Sequence, residues 1–349
     1  MSEKRSRRIT VKDIANIVGV SATAVSMALN NRGSLTPARR EEIKRVAAEL
    51  GYVPNAGARS LRGSHTRAFG VVINYFNNPF FRDFFTGMEE VTNRIDFSYW
   101  VSQTRDDLKK EQEQVRKLAQ LGVDGIVILP CSKETSHLTE LTTRFNIPLV
   151  LISHAIGELF PAVVADNAVG ARIATEHLLS IPNRPVLHIA GPIAAKSGIE
   201  HRYQGYCDAM KKANKNFNPK HSVFFVEKLR AEDGYAMMPE ILRNYKLPVS
   251  LFVVNDETAL GVLNYCYHHN LRVPEDISVV GFSDIDLLES LNVSLSSVSI
   301  PRQKMGECSA NKLLSQIGFI PKEESFEEGR EIITTLPVSL IVRDSSKIK

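Results

Sequence analysis

From residue 67 onward, short apolar runs alternate with segments whose apolar residues recur every three or four positions. The runs predict strands, and the segments between them predict helices, the first of them over 80–91. Several runs, such as GIVIL at 125–129, are apolar on both faces, which is typical of parallel strands covered by helices on each side. A gap in the strand pattern near 166–185 divides the series in two, so the pattern predicts two doubly wound α/β lobes. The predicted strands are 69–76, 97–101, 123–129, 148–152, 186–190, 223–226, 249–254 and 277–282.

The amino-terminal part of the chain shows the spacing of short helices instead. Thr10 begins one helix, Ser21 caps a second helix over 22–30, and a third helix begins at Thr36. Gly19 allows the positive φ that a tight turn between the first two helices requires. Two short helices joined by a glycine-containing turn predict a helix-turn-helix, whose second helix enters the major groove of DNA.

Charge distinguishes this amino-terminal part from the rest of the chain. Residues 1–64 contain 12 Lys and Arg and 5 Asp and Glu, a net charge of +7, whereas the whole chain carries +4. The remainder therefore carries −3. On helical spacing alone, a three-helix piece of a larger core is the alternative interpretation. The basic charge favours DNA binding, because a DNA-binding surface must neutralise phosphate groups.

Several segments resemble the lactose/galactose repressor (LacI/GalR) family of transcriptional regulators. In the amino-terminal part they are ITVKDIA at 9–15, VGVSATAVS at 18–26, ALN at 28–30 and GYVPN at 51–55. In the remainder they are NPFF at 78–81, LGVDG at 121–125, ND at 255–256, VPEDISVVGF at 273–282 and LPVSLIVR at 336–343. The resemblance covers nearly the whole chain and implies a core similar to a periplasmic sugar-binding protein. It is specific to the family and does not select one member.

The resemblance implies three parts: a helix-turn-helix domain at 1–55, a hinge helix at 56–64, and an effector-binding and dimerisation core at 65–345. In this fold the two lobes exchange chain segments. We expect the amino-terminal lobe to comprise about 67–165 plus 296–325, and the carboxyl-terminal lobe about 166–295 plus 326–345. We expect the hinge, which contains two glycines, to form a helix only against DNA and a second copy of the chain.

By the same resemblance, the expected DNA contacts lie in the head and the hinge. Ala22 and Thr23 correspond to the two principal base-reading positions, and Met27 stands where many relatives carry arginine. Leu61 corresponds to a leucine that wedges into the minor groove and bends the operator; packing in an interdomain linker is its alternative role. The expected set is Thr10, Ser21, Ala22, Thr23, Ser26, Met27, Asn30, Tyr52, Asn55, Ala58 and Leu61.

Ligands of open parallel sheets bind beyond the carboxyl ends of the strands, so side chains that follow each predicted strand are candidates, Asn77 and Gln103 among them. The resemblance implies that Phe80 and Phe81 line an effector cleft and that Arg202 clamps the effector. An interlobe salt bridge is the alternative role of Arg202. The expected set is Phe80, Phe81, Ser132, Ser153, His154, Arg202, Asn255 and Ser283.

Two positions depart from the pattern of sugar-responsive relatives, because Ser153 and Ser283 stand where many relatives carry acidic residues. Carboxylates accept hydrogen bonds from sugar hydroxyls, so their loss weakens the usual grip on a neutral sugar. Arg202, with two histidines and a lysine nearby in sequence, favours a phosphorylated or acidic effector derived from carbohydrate. A neutral sugar or a nucleoside is the alternative.

The sequence contains no signal of a metal site, an enzyme or a membrane protein. The nine histidines and four cysteines show no metal-ligand spacing, and no catalytic serine elbow or phosphate-binding glycine motif is present. We therefore expect no metal, no cofactor and no enzymatic activity. No apolar run reaches the roughly 18–20 residues of a membrane span, and no secretory signal is visible.

These observations predict a cytoplasmic, homodimeric regulator of transcription, and a repressor in particular. We expect it to bind a near-palindromic operator in double-stranded DNA and to respond to a small, carbohydrate-derived effector. The alternative is an α/β cleft protein, either a ligand-binding protein or an enzyme, whose head has lost DNA recognition. The basic head favours the first interpretation.

Overall fold

A computed structural model divides the chain into two compact units, residues 1–66 and 67–349. It describes residues 9–29, 33–52, 65–192, 197–320 and 332–347. Four of the expected DNA contacts, Asn30, Asn55, Ala58 and Leu61, lie outside these ranges, as does the expected hinge at 56–64. Among the described helices, none is both long enough and apolar enough to cross a membrane.

The first unit contains three helices, α1 (Val11–Val18), α2 (Ala22–Leu29) and α3 (Pro37–Glu49). The backbone N–H and the hydroxyl of Thr10 donate to Asp13 Oδ2 over 2.8 and 2.7 Å, which fixes the start of α1. Gly19 ends α1 with φ 69°. The three helices pack around a small core that includes Ile14, Val25 and Ile43, all fully buried. The predicted helix-turn-helix is therefore confirmed.

The second unit contains two parallel-stranded lobes. The sheet of the first lobe has the order β11-β5-β4-β3-β1-β2, and all of its strands are parallel. Its strands are β1 (Ala68–Ile73), β2 (Ser98–Gln103), β3 (Gly125–Ile128), β4 (Leu149–Ile152), β5 (Ala162–Ala165) and β11 (Ile333–Leu336). Its helices are α4 (Phe80–Arg94), α5 (Leu108–Gln120), α6 (Ser136–Arg144) and α11 (Arg302–Gln316).

The sheet of the second lobe has the order β12-β10-β9-β8-β6-β7, and only β12 runs antiparallel to its neighbour. Its strands are β6 (Val186–Ala190), β7 (Val223–Phe225), β8 (Val249–Val253), β9 (Ile277–Ser283), β10 (Ser296–Ser299) and β12 (Ser339–Ile341). Its helices are α7 (Asn167–Leu179), α8 (Ser197–Ala213), α9 (Ala231–Asn244) and α10 (Asp256–His268), with short 3-10 helices at Pro219–His221 and Asp286–Ser290. The predicted two-lobed α/β fold class is confirmed.

The expected bounds of the exchanged segments need two corrections. Residues 296–299, expected in the first lobe, form β10 of the second lobe, with Ser297 opposite Gly281 of β9. Residues 333–336, expected in the second lobe, form β11 of the first lobe beside β5. Ser296 and Ser297 of β10 are fully buried, and their hydroxyls are hydrogen-bonded: that of Ser297 donates to Asp256 over 2.5 Å, and that of Ser296 donates to the carbonyl oxygen of Arg343 over 3.0 Å.

Helix α11 returns the chain to the first lobe and packs closely on α4. A Cβ built on Gly87 of α4 would lie 1.9 Å from the carbonyl oxygen of Gln303 in α11. A Cβ on Gly306 of α11 would lie 2.0 Å from the carbonyl oxygen of Phe84 in α4. Each helix therefore needs glycine where it meets the backbone of the other.

Candidate functional site

The carboxyl ends of the two parallel sheets face one another across a cleft. Lys133, which follows β3 in the first lobe, forms an ion pair with Glu200 of α8 in the second lobe, with an N–O distance of 2.9 Å. The guanidinium of Arg230, at the start of α9, lies over the ring of Tyr75, which follows β1, at 5.5 Å. These contacts show that segments after the strands of both lobes meet, as the position of a ligand site in this fold class requires.

A cavity of about 480 Å³ opens at the edge of this cleft. Its lining comes from the segments after β1 and β2 of the first lobe and from the start of α9 of the second lobe. The side chains include two aromatic rings, two amides and two arginines, and no carboxylate. The lining residues are Tyr75, Phe76, Asn77, Gln103, Arg105 and Arg230. Asn77 and Gln103 are among the predicted post-strand candidates, whereas the two arginines are not.

Arg202, the expected effector clamp, projects from α8 and is bonded within the second lobe. Its Nε donates to Asn167 Oδ1 over 2.8 Å, and its Nη1 donates to the carbonyl oxygen of Val254 over 2.6 Å. Its guanidinium carbon lies 3.8 Å from the ring centroid of Phe282. Burial lowers the pKa of Arg202 to about 10, so the side chain remains charged near neutral pH.

Both hydrogen bonds of Arg202 go to neutral acceptors, and no described carboxylate forms an ion pair with it. The described partners use Nε and Nη1, so Nη2 keeps its donor capacity. The described residues therefore show Arg202 in no interlobe salt bridge, which was its alternative role from the sequence.

Two further expected effector residues follow strands of the second lobe and already have structural contacts. Asn255 caps α10: its Oδ1 accepts the Thr258 N–H over 2.9 Å, and its Nδ2 donates to the carbonyl oxygen of Leu229 over 3.0 Å. Ser283 ends β9 with φ 117°, and its carbonyl oxygen accepts from Arg302. The polar groups of these two residues thus fix the local backbone at this edge of the sheet.

The remaining expected effector residues follow strands of the first lobe. Phe81 is a buried core residue, and the half-buried Phe80 packs edge-on against it with ring centroids 5.0 Å apart. Ser132 accepts the backbone N–H of Glu134 over 3.0 Å. Ser153 adopts φ 63° and is half-buried, and His154 beside it is buried.

The segment around Ser132 is held by a buried carboxylate. Glu111 of α5 accepts the Cys131 N–H over 2.6 Å and lies 2.9 Å from His137 Nε2. Burial raises the pKa of the Cys131 thiol well above its usual value, so this cysteine is an unreactive thiol near neutral pH. No described group of three or more His, Cys, Asp or Glu side chains is placed to hold a metal ion.

An ionic junction between the lobes was not predicted from the sequence. Arg302, at the start of α11, donates from Nε and Nη2 to Asp83 of α4 over 2.9 and 2.6 Å. Its Nη1 donates to the carbonyl oxygens of Ser283 and Asp284 in the second lobe, the latter over 2.7 Å. One buried guanidinium therefore joins a carboxylate of the first lobe to the end of β9 in the second.

Two buried titratable groups lie in the core of the second lobe, behind the cleft. His188 of β6 stacks on Phe252 with centroids 4.7 Å apart, and burial lowers its pKa to about 4. Burial raises the pKa of Asp256 to about 6, although the hydroxyl of Ser297 and the backbone N–H of Ile285 both donate to it. The two shifts have opposite signs because burial disfavours the charged form of each group.

The expected DNA contacts in the described part of the head differ in how far they are exposed to solvent. Thr23 is exposed, Ser26 is half-buried, and Met27 is 44% exposed with its sulfur beside Gly33. Ala22 and Tyr52 are half-buried and pack against the head core. Thr10 and Ser21 are exposed caps of α1 and α2, and the Ser21 hydroxyl accepts the Ala24 N–H over 3.1 Å.

Both units of the chain are similar to known bacterial regulatory proteins. Residues 10–55 match the profile of bacterial regulatory proteins, lacI family, and residues 175–346 match a periplasmic binding protein-like domain. The chain is 30% identical over 339 residues to the HTH-type transcriptional repressor PurR of Haemophilus influenzae (strain PittEE), covering 97% of this chain and 98% of that protein.

Two solved structures have similar folds. The lac repressor dimer bound to operator and the anti-inducer ONPF aligns with a TM-score of 0.82 at 23% identity, over 97% of this chain and 99% of that one. The transcriptional regulator CelR–cellobiose complex aligns with a TM-score of 0.70 at 27% identity, over 97% of this chain and 100% of that one.

Proposed function

The chain belongs to the lacI family of bacterial transcriptional regulators, and we propose that it represses transcription as a homodimer on a near-palindromic operator, under the control of a small molecule bound between its lobes. The observation that carries this proposal is the pairing of two features in one chain. One is a helix-turn-helix head with an exposed second helix, and the other is a separate two-lobed unit with a cavity where its sheets face each other.

On the DNA side, we assign base reading to the exposed face of α2. Thr23 and Met27 lie on that face, and the net charge of +7 over residues 1–64 supports contact with phosphates. Ser26 and Tyr52 are half-buried and are better placed to position the head than to read a base edge. Because DNA is the partner, we place the protein in the bacterial cytoplasm.

On the effector side, we assign ligand binding to the cleft and the clamping contact to Arg202. Similarity to a regulator solved with cellobiose supports a carbohydrate-derived ligand. Arg202 remains charged and retains Nη2, which suits a ligand oxygen. The relatives that this chain resembles are transcriptional regulators, so we assign the cleft to ligand binding and not to catalysis.

Selection of operators from random double-stranded DNA tests the DNA half of the proposal, and it requires no assumption about the target sequence. The full chain should enrich a two-fold symmetric sequence, and fractions of a bacterial metabolite extract should then change its affinity. Enrichment of no sequence over unselected DNA would contradict the proposal.

Arg202→Ala tests the effector half. Loss of a charge-assisted hydrogen bond should raise the effector concentration needed for a response by about ten- to a hundredfold, while operator binding stays near normal. Arg172→Ala, on the neighbouring α7, is the matched loss of an exposed arginine and should respond like the wild type. Arg202→Lys keeps the charge if the alanine variant is unstable. An unchanged response in both Arg202 variants would remove Arg202 from the effector site.

A further inference from the structure

We propose that the cavity at the edge of the cleft binds the anionic group of a carbohydrate-derived effector, a sugar phosphate or a sugar acid, between Arg105 of the first lobe and Arg230 of the second. This inference rests on the proposed function, because it names the chemical class of the ligand. It differs from the assignment of Arg202, which lies in the second lobe and is bonded there.

The cavity brings two cations together from opposite lobes. Arg105 follows β2, and Arg230 is the residue before α9, yet both line the same space. Tyr75 lies between them: its hydroxyl donates to the carbonyl oxygen of Arg105 over 3.2 Å, and its ring lies 5.5 Å from the Arg230 guanidinium. The two arginines are therefore neighbours through one tyrosine.

Arg105 is held in an uncommon backbone conformation, with φ 57°. Its N–H donates to the carbonyl oxygen of Asn74 over 2.8 Å, and its carbonyl oxygen accepts from Tyr75. These bonds extend the pairing of β1 and β2 beyond the strands. The backbone of Arg105 is thus fixed beside the cavity, and its exposed side chain is accessible to a ligand there.

Neither guanidinium has a hydrogen-bonded carboxylate within the described ranges. Two nearby carboxylates hold backbone groups instead: Asp107 accepts the N–H groups of Lys109 and Lys110 as the cap of α5, and Asp233 accepts the backbone N–H of Arg230. Glu257 offsets part of the Arg230 charge at longer range. The lining of the cavity therefore contains two exposed arginines and no carboxylate, so the lining itself carries positive charge.

The rest of the lining suits a polyol attached to the anion. The ring of Phe76 is 60% exposed and supplies an apolar face, while Asn77 and Gln103 supply amide groups for hydroxyls. Gln103 uses Oε1 to accept the Phe76 N–H over 3.3 Å, so its NH₂ group keeps its donors. An arginine fork binds phosphate or carboxylate oxygens in pairs, and two forks from two lobes bind one anion best when the lobes are close.

Thermal unfolding of the full chain in inorganic phosphate, against chloride at equal ionic strength, tests the anion site directly. Phosphate should raise the Tm of the wild type above its value in chloride, because a ligand of the folded state stabilises it. Arg105→Gln and Arg230→Gln should each remove this rise. Arg116→Gln on α5 and Arg243→Gln on α9 are matched losses of exposed arginines outside the cavity and should keep it. These controls are needed because the basic head also attracts anions.

A second arm separates the sources of the anion. Glucose 6-phosphate, gluconate and glucose are titrated against the wild type and the two cavity variants. At least one of the two anions should bind about tenfold or more tighter than glucose, and each cavity variant should remove that preference. The stronger of the two identifies phosphoryl or carboxylate recognition.

The proposal is overturned if phosphate gives no rise in the wild type, if the rise survives in both cavity variants, or if glucose binds as tightly as both anions. Operator selection reports separately on the proposed function. If the chain selects DNA but phosphate does not raise its Tm, only the anion site is refuted. If phosphate raises its Tm but the chain selects no DNA, the repressor assignment is refuted.

Discussion

Replacing Arg302 with glutamine should lower the free energy of unfolding of the two-lobed unit more than replacing an exposed arginine does. Arg302 is only 8% exposed and donates to Asp83 and to the carbonyl oxygens of Ser283 and Asp284. The glutamine side chain is shorter and uncharged, so it cannot reach these acceptors together. The substitution leaves Asp83 with only its longer contact to the exposed Arg82, at 3.4 Å, and removes the Arg302 donor from two carbonyl groups.

The magnitude follows from the burial of the two partners. Removing one member of a buried ion pair costs about 3–5 kcal/mol, because the other charge is left uncompensated. The side chain of Asp83 is 27% exposed and also contacts Arg82, so water and Arg82 partly compensate the carboxylate and the lower end of that range applies. We expect Arg302→Gln to lower the free energy of unfolding by about 3 kcal/mol. In a core of this size that corresponds to a fall in Tm of roughly 6–12 °C.

Urea unfolding followed by tryptophan fluorescence measures this change. Trp100, the single tryptophan, lies in β2 of the first lobe and reports on that lobe. Arg82→Gln is the matched control, because Arg82 contacts Asp83 and Asp286 at the same junction but is 69% exposed. An exposed pair contributes about 0–1 kcal/mol, so this control should stay close to the wild type. If Arg302→Gln lies within about 0.5 kcal/mol of the wild type, or if Arg82→Gln costs as much, burial does not govern the junction.

Three further predictions concern the head, the hinge and the buried histidine. Met27→Arg should create a guanine preference at one symmetric pair of operator positions, since arginine reads guanine O6 and N7; selection from random DNA should show no such change for Met27→Leu. Leu61→Ala, outside the described residues and motivated by the family resemblance, should weaken operator binding in a mobility-shift assay while calorimetry shows unchanged effector binding. Because the pKa of His188 is about 4 in the folded protein, its contribution to the free energy of unfolding falls as the pH falls from about 6.5 to 4. Because the pKa of Asp256 is about 6 in the folded protein, its contribution rises as the pH falls from about 6 to 4. His188→Phe should therefore become more stable relative to the wild type by up to about 3 kcal/mol on acidification, and urea titrations at several pH values that show parallel curves would contradict this.

The eight strands that could be predicted are apolar runs, which are visible in the sequence without knowledge of the strands they pair with. All eight form, with bounds that differ by a few residues. The four missed strands are three or four residues long, and β10 is Ser-Ser-Val-Ser. Its buried hydroxyls are satisfied by Asp256 and by the carbonyl oxygen of Arg343, which lie far away in the sequence. A polar segment becomes a core strand only through such contacts, so local pattern cannot reveal it.

The candidate site shows the same division. Parallel topology places every post-strand residue at one edge of a sheet, so Asn77 and Gln103 could be predicted near the cleft. The cavity arginines could not, because Arg105 and Arg230 meet only when two lobes assemble around Tyr75. The Arg302 junction was missed for the same reason, since its first-lobe carboxylate lies more than two hundred residues earlier in the chain.

The polar groups of the cleft fall into two kinds that should act differently on the lobes. Asn255 and Arg202 are already bonded within the second lobe, so they meet a ligand in fixed positions whatever the distance between the lobes. Such groups bind a ligand about equally in open and closed forms and mainly select its shape. Arg105 and Arg230 belong to different lobes, so the free energy gained when an anion neutralises both depends on lobe separation. Only an interaction that differs between two states can shift their equilibrium, so we expect ligand binding to couple to lobe closure at this charged edge of the cleft.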